Sequence, residues 1–207
     1  MEPTAAGAKA ARSDEGARTE LLQVDRFAVA QVLRDVFPTA LAEMQQVADG
    51  DFVPWFANGS YEGSWLVFPL AFVPHGDGNE LGVDIARNRA RCPRTAAVFD
   101  AFGRQRTYGF SRIMPGAHVI AHRDVRPAYM MRMHLPLVVP AGCHFRIGTE
   151  HVAWRVGEPL AFDGLIEHEV ANFGQAPRTV LLVDFRMDAA EQAYVDAVRA
   201  RNGVRLD

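Results

Sequence analysis

Tyr129-Met130-Met131-Arg132-Met133-His134-Leu135-Pro136-Leu137-Val138 is the run on which the fold turns. Side chains alternate across a strand, which puts Met131, Met133, Leu135 and Leu137 on one face and Met130, Arg132, His134, Pro136 and Val138 on the other. The first set is a core face. Arg132 and His134 must project to the opposite side, which in a barrel is solvent or a polar cavity, and the flanking Pro136 and Val138 make open solvent the poorer choice.

On either side of that run, short strands are expected at 107–113, 118–122, 144–147, 152–156, 160–163, 168–172 and 178–185. Turn residues separate most of them, among them Pro115-Gly116, Pro140-Ala141-Gly142, Gly148, Gly157, Gly164 and Gly174. With 129–138 that makes eight short strands with regular turns, a mainly β chain whose usual solution is a cupin-like jelly roll. Residues 64–72 read as a further buried strand. Helices that pack on the sheet are expected at 21–36, at 39–47 after Pro38 interrupts, and at 93–102, with Pro93 in the first turn and Gly103 past the end. A last helix starts at a capping box, Asp188 with Glu191, and stops near Gly203. Residues 74–79 read as a loop. Trp55 and Trp65 fill core or wall a substrate pocket.

Composition narrows the class. The 207 residues are 49% hydrophobic and 23% charged, with a formal charge of -3 and basic residues spread along the chain. Neither nucleic acid nor an anionic membrane is implied as a partner. Residues 1–20 read as a disordered tail and 21–207 as a single domain. Cys92 and Cys143 form no framework or CxxC motif, which makes a reducing cytoplasm the expected location. No apolar run approaches membrane-spanning length.

Chemistry concentrates in His122-Arg123-Asp124. Residues two apart on a strand reach one point, and His168, 44 residues after Asp124, supplies a third ligand from a later strand. Two imidazoles and a carboxylate with open positions suit Fe(II) in oxygenases, although His-x-Asp on its own also occurs on any exposed strand. Arg178 shares a face with Val180, Leu182 and Asp184 and needs an anion there. That anion is either Asp184 or Asp163 in a structural ion pair, or a carboxylate of a small molecule held by the guanidinium fork. His118, His144, His151, Cys143, Trp154 and Asp163 carry plainer surface, turn or core readings.

Several segments together resemble one family. They are Ser111-Arg-Ile-Met-Pro-Gly-Ala-His-Val-Ile-Ala-His122, Arg132-Met-His-Leu-Pro-Leu137, Pro140-Ala-Gly-Cys-His-Phe-Arg-Ile-Gly148, Phe162-Asp-Gly-Leu-Ile-Glu-His-Glu-Val170 and Arg178-Thr-Val-Leu-Leu-Val-Asp184. In order and spacing they resemble the aspartyl/asparaginyl β-hydroxylases, Fe(II)- and 2-oxoglutarate-dependent oxygenases with a double-stranded β-helix fold. The resemblance implies iron ligation by His122 and His168. It implies that Ser111 and Arg178 hold the distal carboxylate of 2-oxoglutarate, that His134 binds the other carboxylate, and that Arg132 meets the acidic group of a substrate.

Two positions depart from the family pattern. Asp124 stands where members acting on protein domains commonly have Gly, so a carboxylate ligand is restored. Met130 stands where a second Arg is frequent, which removes one cation. The expected activity is C–H hydroxylation of an amino acid or amino-acid unit of a peptide or natural product. O2 and 2-oxoglutarate are co-substrates, and succinate and CO2 are co-products. The alternative is a non-catalytic cupin-like protein that binds a metal and a small molecule.

Overall fold

The computed structural model describes residues 18–56, 59–73 and 81–205, and the expected loop at 74–79 lies outside them. The strands are β1 Val53–Pro54, β2 Tyr61–Glu62, β3 Trp65–Ala71, β4 Gln105–Ile113, β5 His118–His122, β6 Met130–Val138, β7 Cys143–Ile147, β8 Glu150–His151, β9 Leu160–Phe162, β10 His168–Asn172 and β11 Arg178–Arg186. The helices are α1 Val29–Met44, α2 Ile85–Arg91, α3 Pro93–Phe102 and α4 Ala189–Arg201. Six strands form one sheet in the order β1-β3-β4-β11-β6-β9, and five form a second in the order β2-β5-β10-β7-β8. All pairings are antiparallel. This is the mainly β jelly roll with packing helices that the strand pattern predicts.

The two faces of β6 do what their chemistry requires. Met131, Met133, Leu135 and Leu137 are buried with Leu181, Val183 and Phe185 of β11 under apolar residues of α1, α3 and α4 (Leu33, Val36, Phe99 and Val195). The other face of the six-stranded sheet meets the five-stranded sheet through Trp65, Val67, Ile113, Val119, Phe145, Ile147, Phe162 and Val170. One cluster anchors the helices. The second encloses the site.

Two expectations are corrected and one helix is added. Pro38 does not interrupt α1, because buried Leu33 and Val36 before it and Ala40 and Met44 after it lie on one continuous stripe; the packing of that stripe outweighs the one lost backbone hydrogen bond. Residues 152–156 form no strand; the pairing next to β7 is the two-residue β8, with Val152 adding one backbone bond to Phe145 at 2.8 Å. The short α2 was not anticipated, and it begins where the Asp84 side chain accepts from the Arg87 amide at 2.9 Å. Of the expected tail, residues 1–17 lie outside the described residues. Residues 18–20 are tied down, with Arg18 paired to Glu150, Thr19 to Thr149 and Glu20 to Arg201. Among the described residues no helix is long and apolar enough to cross a membrane.

α4 opens on the expected capping box, Asp188 with Glu191. It is pinned to the sheets by Arg199, whose Nε donates to Asp163 Oδ2 at 2.7 Å, both side chains being 2% exposed. Asp163 Oδ1 also accepts from the Leu165 amide at 3.1 Å, so the turn role expected of it and a buried ion pair coexist. Asp163→Ala strands a buried guanidinium, and urea denaturation should register a loss of about 3–5 kcal/mol. A loss below about 1 kcal/mol, the range of a surface pair, would contradict this account of α4 docking.

A candidate metal and dicarboxylate site between the sheets

The register of β5 against β10 places His122 opposite His168, with their ring centroids 4.4 Å apart. Asp124 lies just beyond the end of β5, where its amide donates to the Gly164 carbonyl at 2.7 Å. One ligand atom from each of His122, Asp124 and His168 lies within 4.8 Å of the others. His122 Nδ1 donates to the Ile120 carbonyl at 2.7 Å and His168 Nδ1 to the Ile166 carbonyl at 2.9 Å. A carbonyl only accepts, so in each ring the proton sits on Nδ1 and Nε2 keeps its lone pair for a metal.

The electrostatics agree with that role. Burial pushes the His168 pKa down to about 4, so the ring is a neutral ligand at ordinary pH. For Asp124, burial acts upward, but the guanidiniums of Arg132 and Arg126 outweigh it and hold the carboxyl well below the usual range. Nε2 of His122 faces Asp124 Oδ1 at 3.6 Å, and that contact raises the ring's pKa against the effect of burial, so a metal there would take the place of a proton. The donor set is the two-imidazole, one-carboxylate set that suits Fe(II).

Gly164 makes room for this arrangement. A Cβ there would overlap Asp124 Oδ2 and come within 3.0 Å of Asp124 Cβ. Gly164→Ala is therefore expected to displace the carboxylate and weaken Mn(II) binding about 10–100-fold, the usual cost of disturbing a ligand's support. Affinity equal to wild type in an EPR titration would mean that Asp124 is not a ligand.

Deeper between the sheets, β11 pairs Arg178 with Ile113, Val180 with Ser111, Leu182 with His134 and Asp184 with Arg132. Partners across an antiparallel pair share a face, so Ser111, His134 and Arg178 converge on one cavity. That cavity is walled by Ile113, Val119, Phe162, Val170 and Leu182, and His122 and His168 also line it.

Arg178 is 2% exposed, and its Nε has no hydrogen-bond partner among the described residues. Its guanidinium carbon lies 4.0 Å from the centroid of the Trp154 ring, and burial lowers its pKa to about 9. Both proposed ion-pair partners are taken, Asp184 by Arg132 at 2.8 Å through two bonds and Asp163 by Arg199. Ser111 Oγ accepts from Trp65 Nε1 at 2.9 Å, which leaves its own proton free to donate. Buried His134 has no partner on Nδ1, and burial with the nearby Arg178 charge holds it neutral. A carboxylate suits the chemistry of this cradle, since it supplies the acceptor that Arg178 Nε and the Ser111 hydroxyl lack among the described residues.

Outside the triad, a pocket of about 350 Å³ is lined by Trp55, Trp65, Val125, Tyr129, Arg126 and Arg132 among others. Trp55 and Trp65 stack at 5.2 Å, so the pair both packs and walls the pocket. Arg132 reaches the pocket as expected, but its fork is spent on Asp184, with Nη1 left 3.6 Å from Asp124. Arg126, from the loop after β5, also lines the pocket but is spent on Asp124 and Asp184, so it does not replace the cation missing at Met130. No sequence pattern pointed to Arg126 beyond its even spacing from His122 and Asp124. His118 pairs with Glu169 away from the triad.

Residues 35–187 match the aspartyl/asparaginyl β-hydroxylase family. An ornithine lipid ester-linked acyl 2-hydroxylase of Rhizobium tropici is 36% identical over 108 residues, covering 51% of this chain and 38% of that protein. An aspartyl/asparaginyl β-hydroxylase of Mus musculus is 33% identical over 143 residues, covering 66% of this chain and 18% of that protein. The chain thus spans less than half the length of these curated relatives. A crystal structure from Burkholderia pseudomallei of the 2OG-Fe(II) oxygenase family superposes with a TM-score of 0.50 at 18% identity, over 70% of this chain and 76% of the other, a likeness of fold.

Proposed function

Because the chain belongs to the aspartyl/asparaginyl β-hydroxylase family, we propose that it is an Fe(II)- and 2-oxoglutarate-dependent dioxygenase that hydroxylates an amino acid or an amino-acid unit of a peptide or natural product. The observation that carries this reading is Arg178, a fully buried cation with no anionic partner among the described residues, in a cavity that also reaches His122 and His168. A protein that only holds a metal has no use for such a group. A 2-oxo dicarboxylate gives it one.

Bound ferrous iron with 2-oxoglutarate and O2 would supply the oxidant that turns C–H into C–OH, releasing succinate and CO2. The chain's own residues do the rest. His122 and His168 present Nε2 because backbone carbonyls fix their Nδ1 protons, and Asp124 completes the ligand set. Arg178 and the Ser111 hydroxyl take the far carboxylate of 2-oxoglutarate, and neutral His134 takes an oxygen of the other. The apolar walls Ile113, Phe162, Val170 and Leu182 exclude water, which strengthens each of these bonds. In the outer pocket, Arg132 Nη1, the one nitrogen of its fork not bonded to Asp184, meets the polar part of the substrate while Trp55, Val125 and Tyr129 meet its apolar part. The two relatives' names specify an aspartyl or asparaginyl residue in one case and an ester-linked acyl group of an ornithine lipid in the other.

The test is aerobic incubation with Fe(II), ascorbate, 2-oxoglutarate and a panel of free and peptide-bound amino acids. Succinate followed by NMR should form in step with a product that gains one oxygen atom. Metal and 2-oxoglutarate bound without turnover across the panel would favour the binding-protein alternative.

A further inference from the structure

The two oxygens of Asp124 have different neighbours. Oδ1 lies 3.6 Å from His122 Nε2, on the side where the triad's ligand atoms gather. Oδ2 accepts from Arg126 Nη2. The Arg126 side chain is only 7% exposed, and its Nη1 donates to Asp184 Oδ1 at 3.3 Å. Asp184 is in turn gripped by Arg132 through two bonds of 2.8 Å. Two guanidiniums and two carboxylates thus form a connected, formally neutral cluster beside the triad.

Apart from the close approach of Gly164 to Oδ2, a carboxylate in the loop beyond a strand end has little else to fix its rotation. We propose that Arg126 is the positioning residue of the metal centre: anchored by Asp184, it holds Asp124 Oδ2 and so turns Oδ1 toward the metal. This rests on the reading of His122, Asp124 and His168 as metal ligands. Arg132 does not share the task, because its fork is used on Asp184 and its nearest nitrogen stays 3.6 Å from Asp124. The guanidinium fork suits the role, since one planar group can bridge two carboxylates where an ammonium offers a point charge. Ligating carboxylates are ordinarily held in this way by an outer partner.

The opposite behaviour is physically available, which makes the idea testable. If Arg126 merely neutralised Asp124, it would compete with the metal, and its removal would tighten metal binding. Mn(II) titration followed by EPR on the full chain, without turnover, separates the two. Arg126→Met is expected to weaken binding about 10–100-fold, and Arg126→Lys, which keeps the charge and so the fold, to fall between Met and wild type. In an Asp124→Gly background, Arg126→Met is expected to add no further loss, because its effect runs through Asp124. Binding by Arg126→Met or Arg126→Lys equal to or tighter than wild type would overturn the positioning role, as would a full further loss on top of Asp124→Gly. Wild-type protein that binds no Mn(II) would overturn the metal reading itself, a result distinct from either.

Discussion

Arg178→Met is expected to lower 2-oxoglutarate affinity by at least about 100-fold while leaving the unliganded protein as stable as wild type or more so. The first half follows from the bonds lost: hydrogen bonds to a charged group are worth about 1.5–3 kcal/mol each, and two from a guanidinium fork exceed the roughly 2.8 kcal/mol that corresponds to a hundredfold. The second half follows from the apoprotein. Among the described residues Arg178 has no carboxylate partner and its Nε no acceptor, and burial pulls its pKa down to about 9, so its charge is a cost in the absence of ligand. Methionine fills similar space against Trp154 without that cost. Thermal unfolding with and without 2-oxoglutarate checks both halves: the ligand-induced rise in Tm should vanish in the variant while the unliganded Tm stays level or climbs. A sharp fall in the unliganded Tm would mean that Arg178 is a structural residue with a partner of its own.

His168→Ala is expected to abolish detectable metal binding, a larger effect than the roughly 10–100-fold that follows loss of an outer-shell partner. His168 is 3% exposed, neutral and aimed by the Ile166 carbonyl, so no flexible neighbour can replace it. The control is His118→Ala. His118 stands four residues before His122 but faces Glu169, and its removal should leave metal affinity at the wild-type value. Calorimetric titration with Mn(II) reads both variants, and equal losses in the two would dissolve the case for the triad.

The parts of this molecule legible in the sequence were those governed by local chemistry. Alternation along 130–138 and 178–186 placed two sheet faces, and α3 and α4 start where Pro93 and the Asp188–Glu191 box say they should. The triad was legible because two of its members sit two residues apart and the third opens a strand. What the sequence hid depends on contacts between distant residues. Arg178 also read as half of an ion pair, and only the fold shows that Arg132 and Arg199 occupy the two aspartates in question. Arg126 meets Asp184 across 58 residues, after the loop behind β5 doubles back, and no periodicity encodes that return. α1 passes through Pro38, where tertiary packing overrides the local signal, and α2, at seven residues, is too short to show a helical period.

The central claim is that a metal triad and a dicarboxylate clamp adjoin, with His122 and His168 of the triad lining the cavity that holds Arg178. Anaerobic addition of 2-oxoglutarate to the protein loaded with Fe(II) tests it most directly, through the weak visible absorption band of a ferrous 2-oxo acid chelate. The account predicts a saturable band at one equivalent that is lost in His168→Ala and needs far more 2-oxoglutarate in Arg178→Met. Fe(II) bound with no band at any 2-oxoglutarate concentration would contradict it.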